Sequence, residues 1–260
     1  MTMFEPGSDS SALDPLHQFV IQPVVELPTL LGIDLTITNA ALFMILTTVT
    51  ILVGLTVMTG RGAIIPTRSQ SIAELLYSFL ADMVRSIMGE EGMKFFPFVF
   101  AMFTFILTAN LLGLLPGSYT ATSQLVVTFA LAFSSFALVL ITGFAKNGLG
   151  FLKLFAPAGL PFLMYFLIIP IEIISFLSRP FSLAIRLFAN MMAGHVLLKL
   201  FGGFVLLLSS LGTLGIAAAI LPLAVATAVT ALELMVAFLQ AYVFAVLTCI
   251  YLNDALHPAH

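Results

Sequence analysis

Long apolar runs, separated by short polar interruptions, fill most of the chain. Three of these runs, at residues 37–59, 95–115 and 124–145, have the length of a single membrane crossing, because a helix needs roughly 20 apolar residues to span the hydrocarbon core. Pro116–Gly117 follows the second run, where a helix would stop. The pattern therefore predicts one transmembrane helix for each of the three runs.

Two further runs, at residues 158–201 and 214–252, are about twice as long. The first would measure roughly 66 Å as a helix, whereas the hydrocarbon core is about 30 Å thick. Such lengths allow extra crossings, strongly tilted helices, or helices lying partly in the membrane plane. We favour two long, strongly tilted helices in an antiparallel hairpin. Gly202–Gly203 would end the first, and the polar connection 209–213 would make the turn.

Residues 69–88 show a different pattern, in which apolar side chains such as Leu76 and Leu80 alternate with charged ones such as Glu74 and Asp82. This spacing predicts an amphipathic helix that lies at the membrane interface or packs on the bundle. With about five crossings and this helix, the predicted fold is an all-α integral membrane protein.

The composition supports that fold. Hydrophobic residues make up 61% of the chain and charged residues 8%, against about 25% charged in an ordinary soluble domain. Residues 1–260 are therefore predicted to form one membrane domain, with a polar N-terminal segment at 1–36. The chain has no basic patch for nucleic acid and no Gly-rich phosphate loop for a nucleotide. The single cysteine, Cys249, excludes an internal disulfide and a Cys-based metal site. No cofactor or metal is predicted.

Basic residues indicate the orientation, since loops rich in Lys and Arg stay on the cytoplasmic or matrix side. Two of the predicted loops carry them, at Arg61, Arg68, Arg85, Lys94, Lys146 and Lys153. The acidic segment 1–36 and the uncharged loop 116–123 would face the opposite side, which we call the source side. Lys199 is the one mismatch. Segment 1–36 has no Lys or Arg, so it resembles neither a transit peptide nor a secretory signal.

The last two runs contain polar residues where charge is costly, by about 2.5 kcal/mol or more each. Glu172, Arg186 and Glu233 lie well inside them, and His195 and Gln240 are further polar groups at membrane depth. Intramembrane ionisable groups mark ion or substrate pathways by default. These residues are therefore the candidate functional groups.

Their spacing assigns them to helix faces. Glu172, Arg179 and Arg186 are seven residues apart, and Asn190 is four further on, so at about 100° per residue the four share one face. His195 points to roughly the opposite side. Arg179, nearer the basic loops, is interpreted as a structural or interfacial charge.

Folding the two long helices about position 213 predicts a register. Glu233 and Gln240 share a face of the last helix. Three pairs then lie level, namely Arg186 with Gln240, His195 with Glu233, and Glu172 with Asp254. The layer of His195 and Glu233 would lie towards the source side, that of Arg186 in the middle, and that of Glu172 towards the basic side.

A purely structural alternative is that these groups only hold helices together, since interhelical polar contacts are common and each contributes modest stability. For Asn190 and Gln240 the two interpretations stay open. His195 and Glu233 form a titratable pair, which favours a functional role. Arg186 has no carboxylate within four residues on its own helix, so a partner outside that helix is implied.

Three motifs resemble the a-subunit family of the rotary ATP synthase membrane sector. They are residues 178–195 (SRPFSLAIRLFANMMAGH), residues 239–252 (LQAYVFAVLTCIYL) and residues 109–116 (ANLLGLLP). Their order, their spacing and the chain length all agree with the family, so the resemblance covers nearly the whole chain. The wording ANMMAGH and the closing IYLNDA resemble mitochondrial and alphaproteobacterial members.

The resemblance implies a role for each matched residue. Arg186 would be the essential charge facing the rotor ring of c subunits, with Gln240 beside it. His195 and Glu233 would line the aqueous half-channel on the proton-source side, although many bacterial members carry the acid and the histidine the other way round. Glu172 would lie nearer the exit side. Asn110 and Asn190 would match two of the family's polar positions near the proton path.

The resemblance also implies partners and a location. The chain would form two half-channels, pass protons to c-ring carboxylates and drive rotation coupled to ATP synthesis, without being an enzyme by itself. Its partners would be the c-subunit ring, the peripheral-stalk b subunits, other ATP synthase subunits and the lipid bilayer. The expected location is an energy-transducing membrane, with a bacterial inner membrane favoured over a mitochondrial one. The choice between proton and sodium belongs to the ring carboxylate.

Two other classes of function remain as alternatives. A small secondary transporter would need a solute pocket and usually an internal repeat, and the sequence has no evident repeat. A structural subunit of a respiratory complex would tolerate Arg186→Ala without loss of transport. His195 is the only histidine predicted at membrane depth, which argues against a haem-bearing subunit.

Overall fold

Two short strands and six α-helices form the described part of the chain. The computed structural model describes residues 20–25, 36–60, 66–115, 118–155 and 162–257. In chain order the elements are β1 (Pro23–Val25), β2 (Ile37–Thr38), α1 (Asn39–Thr59), α2 (Arg68–Met88), α3 (Phe96–Gly113), α4 (Leu125–Asn147), α5 (Phe162–Ser209) and α6 (Thr213–Leu256), with 3-10 turns at Glu90–Phe95, Ala121–Ser123 and Gly148–Phe155. Most of segment 1–36, Arg61 and Pro116–Gly117 lie outside the described residues.

Five of the described helices, α1 and α3 to α6, are long and apolar enough to cross a membrane. Their outward side chains are large and apolar, as at Val126, Phe166 and Leu214, which are 79%, 88% and 86% exposed. A soluble protein does not present contiguous apolar surface of this extent. The predicted all-α integral membrane fold is confirmed.

The amphipathic helix α2 presents one apolar stripe to the bundle. Leu80, Val84 and Met88, spaced by four residues, are buried, whereas Arg68 and Glu74 are exposed. The Thr67 hydroxyl caps the helix by accepting from the Gln70 amide at 3.4 Å. This stripe packs mainly against α6.

The two long runs form an antiparallel hairpin, α5 and α6, joined by residues 210–212. The predicted end of the first long helix at residue 201 is wrong, because α5 continues through Gly202 and Gly203 to Ser209. Glycine is tolerated inside membrane helices, where no water competes for the backbone hydrogen bonds. The chain turns instead at Gly212, whose φ of +86° favours a residue without a Cβ.

Helix α6 is central, with α2, α3, α4 and α5 packed around it. Its buried face carries small residues four apart, Ala237, Ala241, Ala245 and Cys249, each 0–1% exposed. Small residues at this spacing let neighbouring backbones approach closely, which is how membrane helices gain contact without a hydrophobic driving force. The stretch of α6 that carries Glu233 and Gln240 thereby lies inside the bundle.

The basic side of the bundle is held by two polar contacts. Lys146 Nζ lies 2.7 Å from Glu91 Oε2, and Asn147 Nδ2 donates to the Ala255 carbonyl at 2.7 Å. Because Ala255 lies in the last turn of α6, the second contact fixes that helix end to the end of α4.

Candidate functional site

The basic-side layer of the hairpin is an ion-paired cluster centred on Arg179. Its Nη1 lies 3.4 Å from Asp254 Oδ2, and its Nη2 lies 4.0 Å from Glu172 Oε1. The guanidinium also sits over the rings of Tyr251 and Phe176, with its carbon 4.8 Å and 5.4 Å from their centroids. Arg179 therefore has the structural position proposed from the sequence.

This cluster shows which side chains meet at one end of the hairpin. The sequence placed Glu172 level with Asp254, whereas Arg179 lies between the two carboxylates. Helical side chains lean towards the N-terminus of their own helix, so in an antiparallel pair they lean in opposite directions. Contacting pairs are consequently displaced from residues whose backbones are level, by up to two turns for a side chain as long as arginine.

The middle layer shows the same displacement by one turn. Gln240 is buried and accepts a hydrogen bond from Asn190, Nδ2 to Oε1, at 3.1 Å. The predicted neighbour of Gln240 was Arg186, one turn away on α5. Asn190 and Gln240 thus join the two helices directly, as one of the two open interpretations requires.

Arg186 lies on the outer face of α5. Its side chain is exposed, between the exposed Ile185 and the buried Leu187. It forms no hydrogen bond or ion pair with any residue in the described ranges. The guanidinium is therefore presented to whatever lies beside this helix.

The source-side layer contains a buried carboxyl group. Glu233 is 8% exposed, and its two carboxyl oxygens accept no hydrogen bond within the described part of the chain. The group fits against Gly194, where an added Cβ would lie 2.7 Å from Glu233 Cδ. The register that placed Glu233 level with His195 is thus off by one residue, because Glu233 lies on the glycine just before it.

The His195 ring does not reach the Glu233 carboxyl and bonds instead to a hydroxyl group. Its Nε2 lies 2.8 Å from Thr120 Oγ1. Thr120 is 5% exposed and belongs to the loop between α3 and α4. His195 and Glu233 therefore share a layer, with Gly194 between them, without a direct hydrogen bond.

Asn110 joins a second hydroxyl of the same loop to α6. Thr122 Oγ1 donates to Asn110 Oδ1 at 2.8 Å, and Asn110 Nδ2 donates to the Ala237 carbonyl at 3.4 Å. Asn110 is fully buried. Since Ala237 follows Glu233 by one helical turn, this bridge ties α3 and the loop to the stretch of α6 that carries the buried carboxyl.

The part played by the α3–α4 loop was not predicted from the sequence. Besides Thr120 and Thr122, residues 118–124 carry four side chains with a hydroxyl or amide group, at Ser118, Tyr119, Ser123 and Gln124. Tyr119 is buried, which raises the pKa of its phenol, while a hydrogen bond from the Gln124 amide acts in the opposite direction. An uncharged polar run directly after a crossing was the available signal.

The described residues contain no group of three His, Cys, Asp or Glu side chains that would hold a metal ion. The carboxylates of Glu172 and Asp254 have Arg179 between them.

Comparison with known proteins gives a consistent result. Residues 41–253 match the family model described as ATP synthase A chain. The chain is 57% identical over 248 residues to ATP synthase subunit a of Mesorhizobium japonicum, covering 95% of this chain and 98% of the relative. It is 58% identical over 245 residues to that of Allorhizobium ampelinum (94% and 98%) and 55% identical over 249 residues to that of Chelativorans sp. (96% and 100%).

Proposed function

Since the chain belongs to the ATP synthase A chain family, we propose that it is the proton-conducting stator subunit of an F-type ATP synthase membrane sector. It is a non-catalytic, multi-pass subunit of that sector. The finer proposal is that it forms two aqueous half-channels and exchanges protons with carboxylates of a ring of c subunits. Arg186 is the observation that carries this proposal, because an exposed guanidinium on an apolar face needs an anionic partner from another chain.

The ring carboxylate supplies that partner. Such a group crosses lipid in its protonated, neutral form because a bare charge there is costly. When it meets Arg186, the fixed cation favours the ionised carboxylate, and the proton leaves. Gln240 is bonded to Asn190, which lies one helical turn beyond Arg186 on α5.

The two half-channels are proposed to end on opposite sides of Arg186. On the source side, the buried Glu233 carboxyl and the His195 ring take up and pass on protons, and Asn110 supports the stretch of α6 beside them. On the basic side, Glu172 receives the released proton near Arg179. The Arg186 charge between them repels a proton that would otherwise pass straight through.

The energy comes from the membrane potential. Each proton that crosses 100 mV releases about 2.3 kcal/mol. Because entry and exit are separated by Arg186, a proton completes the crossing only by travelling with the ring. Rotation is therefore the only route by which this energy is released.

The partners follow from the same proposal. They are the c-subunit ring, the peripheral-stalk b subunits, the other ATP synthase subunits and the surrounding lipid. The relatives come from alphaproteobacteria, which supports a bacterial inner membrane as the location.

The proposal is tested by Arg186→Ala in the assembled complex. We expect ATP-driven proton pumping and ATP synthesis to fall to background while the complex still assembles, because Arg186 makes no hydrogen bond or ion pair inside the described part of the chain. Arg68→Ala, which removes an exposed arginine at the start of α2, is the matched control and should pump normally. Normal pumping by assembled Arg186→Ala would refute the proposed mechanism.

A further inference from the structure

Thr120 stands out among the buried polar groups because it bonds to His195 from a different element. Its Oγ1 lies 2.8 Å from Nε2 of the ring and 3.4 Å from the carbonyl oxygen of Gly113, at the end of α3. The side chain is 5% exposed, so solvent does not compete freely for the hydroxyl. The hydroxyl thus has two neighbours, one at the ring and one at the backbone.

The position of Thr120 is fixed by the loop around it. Its carbonyl accepts from Ser123 twice, from the amide at 3.1 Å and from the hydroxyl at 2.6 Å. Its side chain lies on Gly113, where an added Cβ would be 3.0 Å from Thr120 Cβ. Backbone bonds on one side and a close helix contact on the other therefore hold the hydroxyl at the ring.

A hydroxyl suits both protonation states of Nε2, because it has one proton to donate, two lone pairs to accept with, and free rotation. When Nε2 lacks a proton, the hydroxyl donates to it. When Nε2 carries a proton, the ring donates to Thr120, whose own proton turns to the Gly113 carbonyl. The bond to the ring is kept in both states, and only the direction of donation changes.

We propose that Thr120 is a positioning residue for His195, whose hydroxyl holds the imidazole ring in one place while Nε2 gains and loses a proton. The inference rests on the proposed role of His195 in the source-side half-channel. Two charged side chains lie near the ring, Glu233 across Gly194 on α6 and Lys199 one turn further along α5. Thr120 adds no charge to this pair, so it orients the ring without favouring either state.

The test uses the complete ATP synthase in sealed inverted membrane vesicles, with proton flux compared at matched amounts of assembled complex. Thr120→Val keeps the shape and removes the hydroxyl, and we expect a loss of roughly three- to tenfold, the worth of one hydrogen bond. Thr120→Ser keeps the hydroxyl and should recover most of the flux. Thr128→Val is the control, because Thr128 is equally buried and its hydroxyl bonds only within its own helix region.

A double variant separates positioning from packing. If Thr120 acts through His195, adding Thr120→Val to His195→Ala should lower the flux no further. If Thr120→Val does not assemble, Thr120→Ala removes the hydroxyl without adding volume and replaces it in the series.

Each other outcome overturns the inference in a recognisable way. Flux in Thr120→Val equal to the Thr128→Val control, with His195→Ala slow, refutes the role of Thr120 and leaves the proposed function standing. A further loss in the double variant shows that Thr120 acts on packing instead. Normal flux in His195→Ala refutes the source-side role of His195, and the inference about Thr120 falls with it.

Discussion

The two ends of the α5–α6 hairpin differ in how their titratable side chains are paired. At the basic end, Arg179 lies between Glu172 and Asp254, and the three side chains are 21%, 35% and 39% exposed. At the source end, Glu233 is buried and accepts no hydrogen bond from any described residue, and its neighbour His195 bonds to the neutral hydroxyl of Thr120. At one end an ion-paired cluster joins the two helices, and at the other an acid and a base share a layer without a direct hydrogen bond.

This difference bears on which end joins the helices through ion pairs and which end is suited to proton transfer. Paired charges at a partly exposed site contribute little stability. A buried carboxyl group without a donor is costly in its ionised form. Substitutions at the source end are therefore expected to change proton flux more than substitutions of the ion-paired groups at the basic end.

The largest loss of proton flux is expected when the source-side acid or base is removed. Glu233→Ala or His195→Ala should lower the proton flux by roughly a hundredfold or more, the scale of the loss when a positioned proton donor or acceptor is deleted. Rotor coupling should survive because Arg186 is intact. Flux in sealed vesicles at matched protein levels measures the loss.

Exchanging the acid and the histidine tests whether Glu233 and His195 work as a pair. His195→Glu combined with Glu233→His restores one acid and one base in the layer, so the double variant should recover more flux than either single exchange. Recovery no better than the worse single exchange would show that the two residues do not work as a pair.

An intermediate effect is expected where Glu233 meets the backbone of α5. In Gly194→Ala the new methyl group would occupy the place of the carboxyl, and displacement of that group should lower the flux by roughly threefold, in line with the cost of overpacking. Gly202→Ala adds the same methyl group to the same helix where nothing lies within 4 Å, and should pump normally. Equal flux in the two variants would mean that the fit of Glu233 against Gly194 is without consequence.

The smallest effect is expected at the basic end. Asp254→Asn weakens the Arg179 cluster and should lower the stability of the complex by about 0.5 kcal/mol or less, because both partners are partly solvated. Proton flux should not change. Thermal unfolding of the purified complex measures the loss, with Glu91→Gln, which breaks the more exposed pair to Lys146, as the comparator. A large loss of proton flux in Asp254→Asn would show that the proton flux depends on the basic end as it does on the source end.

The helices and the charged residues were predictable from the sequence, and the neutral groups that hold them were not. Five apolar runs and the stripe of α2 are long-range patterns, and a charge such as Arg186 is conspicuous inside an apolar run. Thr120 and Thr122 give no such contrast, because hydroxyl residues are common in any loop. Their importance depends on the loop folding back against α3, which no local pattern records.

Register was predictable only to within one or two turns. Symmetry about the turn fixed which backbones lie level and brought Glu233 within one residue of its contact at Gly194. It did not include the opposite lean of side chains on antiparallel helices, so Asn190 took the place expected for Arg186 beside Gln240. The end of α5 was misjudged because glycine breaks helices in water far more readily than in lipid.

The three-residue link between α5 and α6 has a consequence for biogenesis. Residues 210–212 are too few to let the two helices separate, so we expect them to enter the bilayer as one hairpin. A solitary helix carrying Glu233 would expose its carboxyl to lipid, at a cost of about 2.5 kcal/mol or more. Entry as a hairpin would instead place that carboxyl against Gly194 from the start.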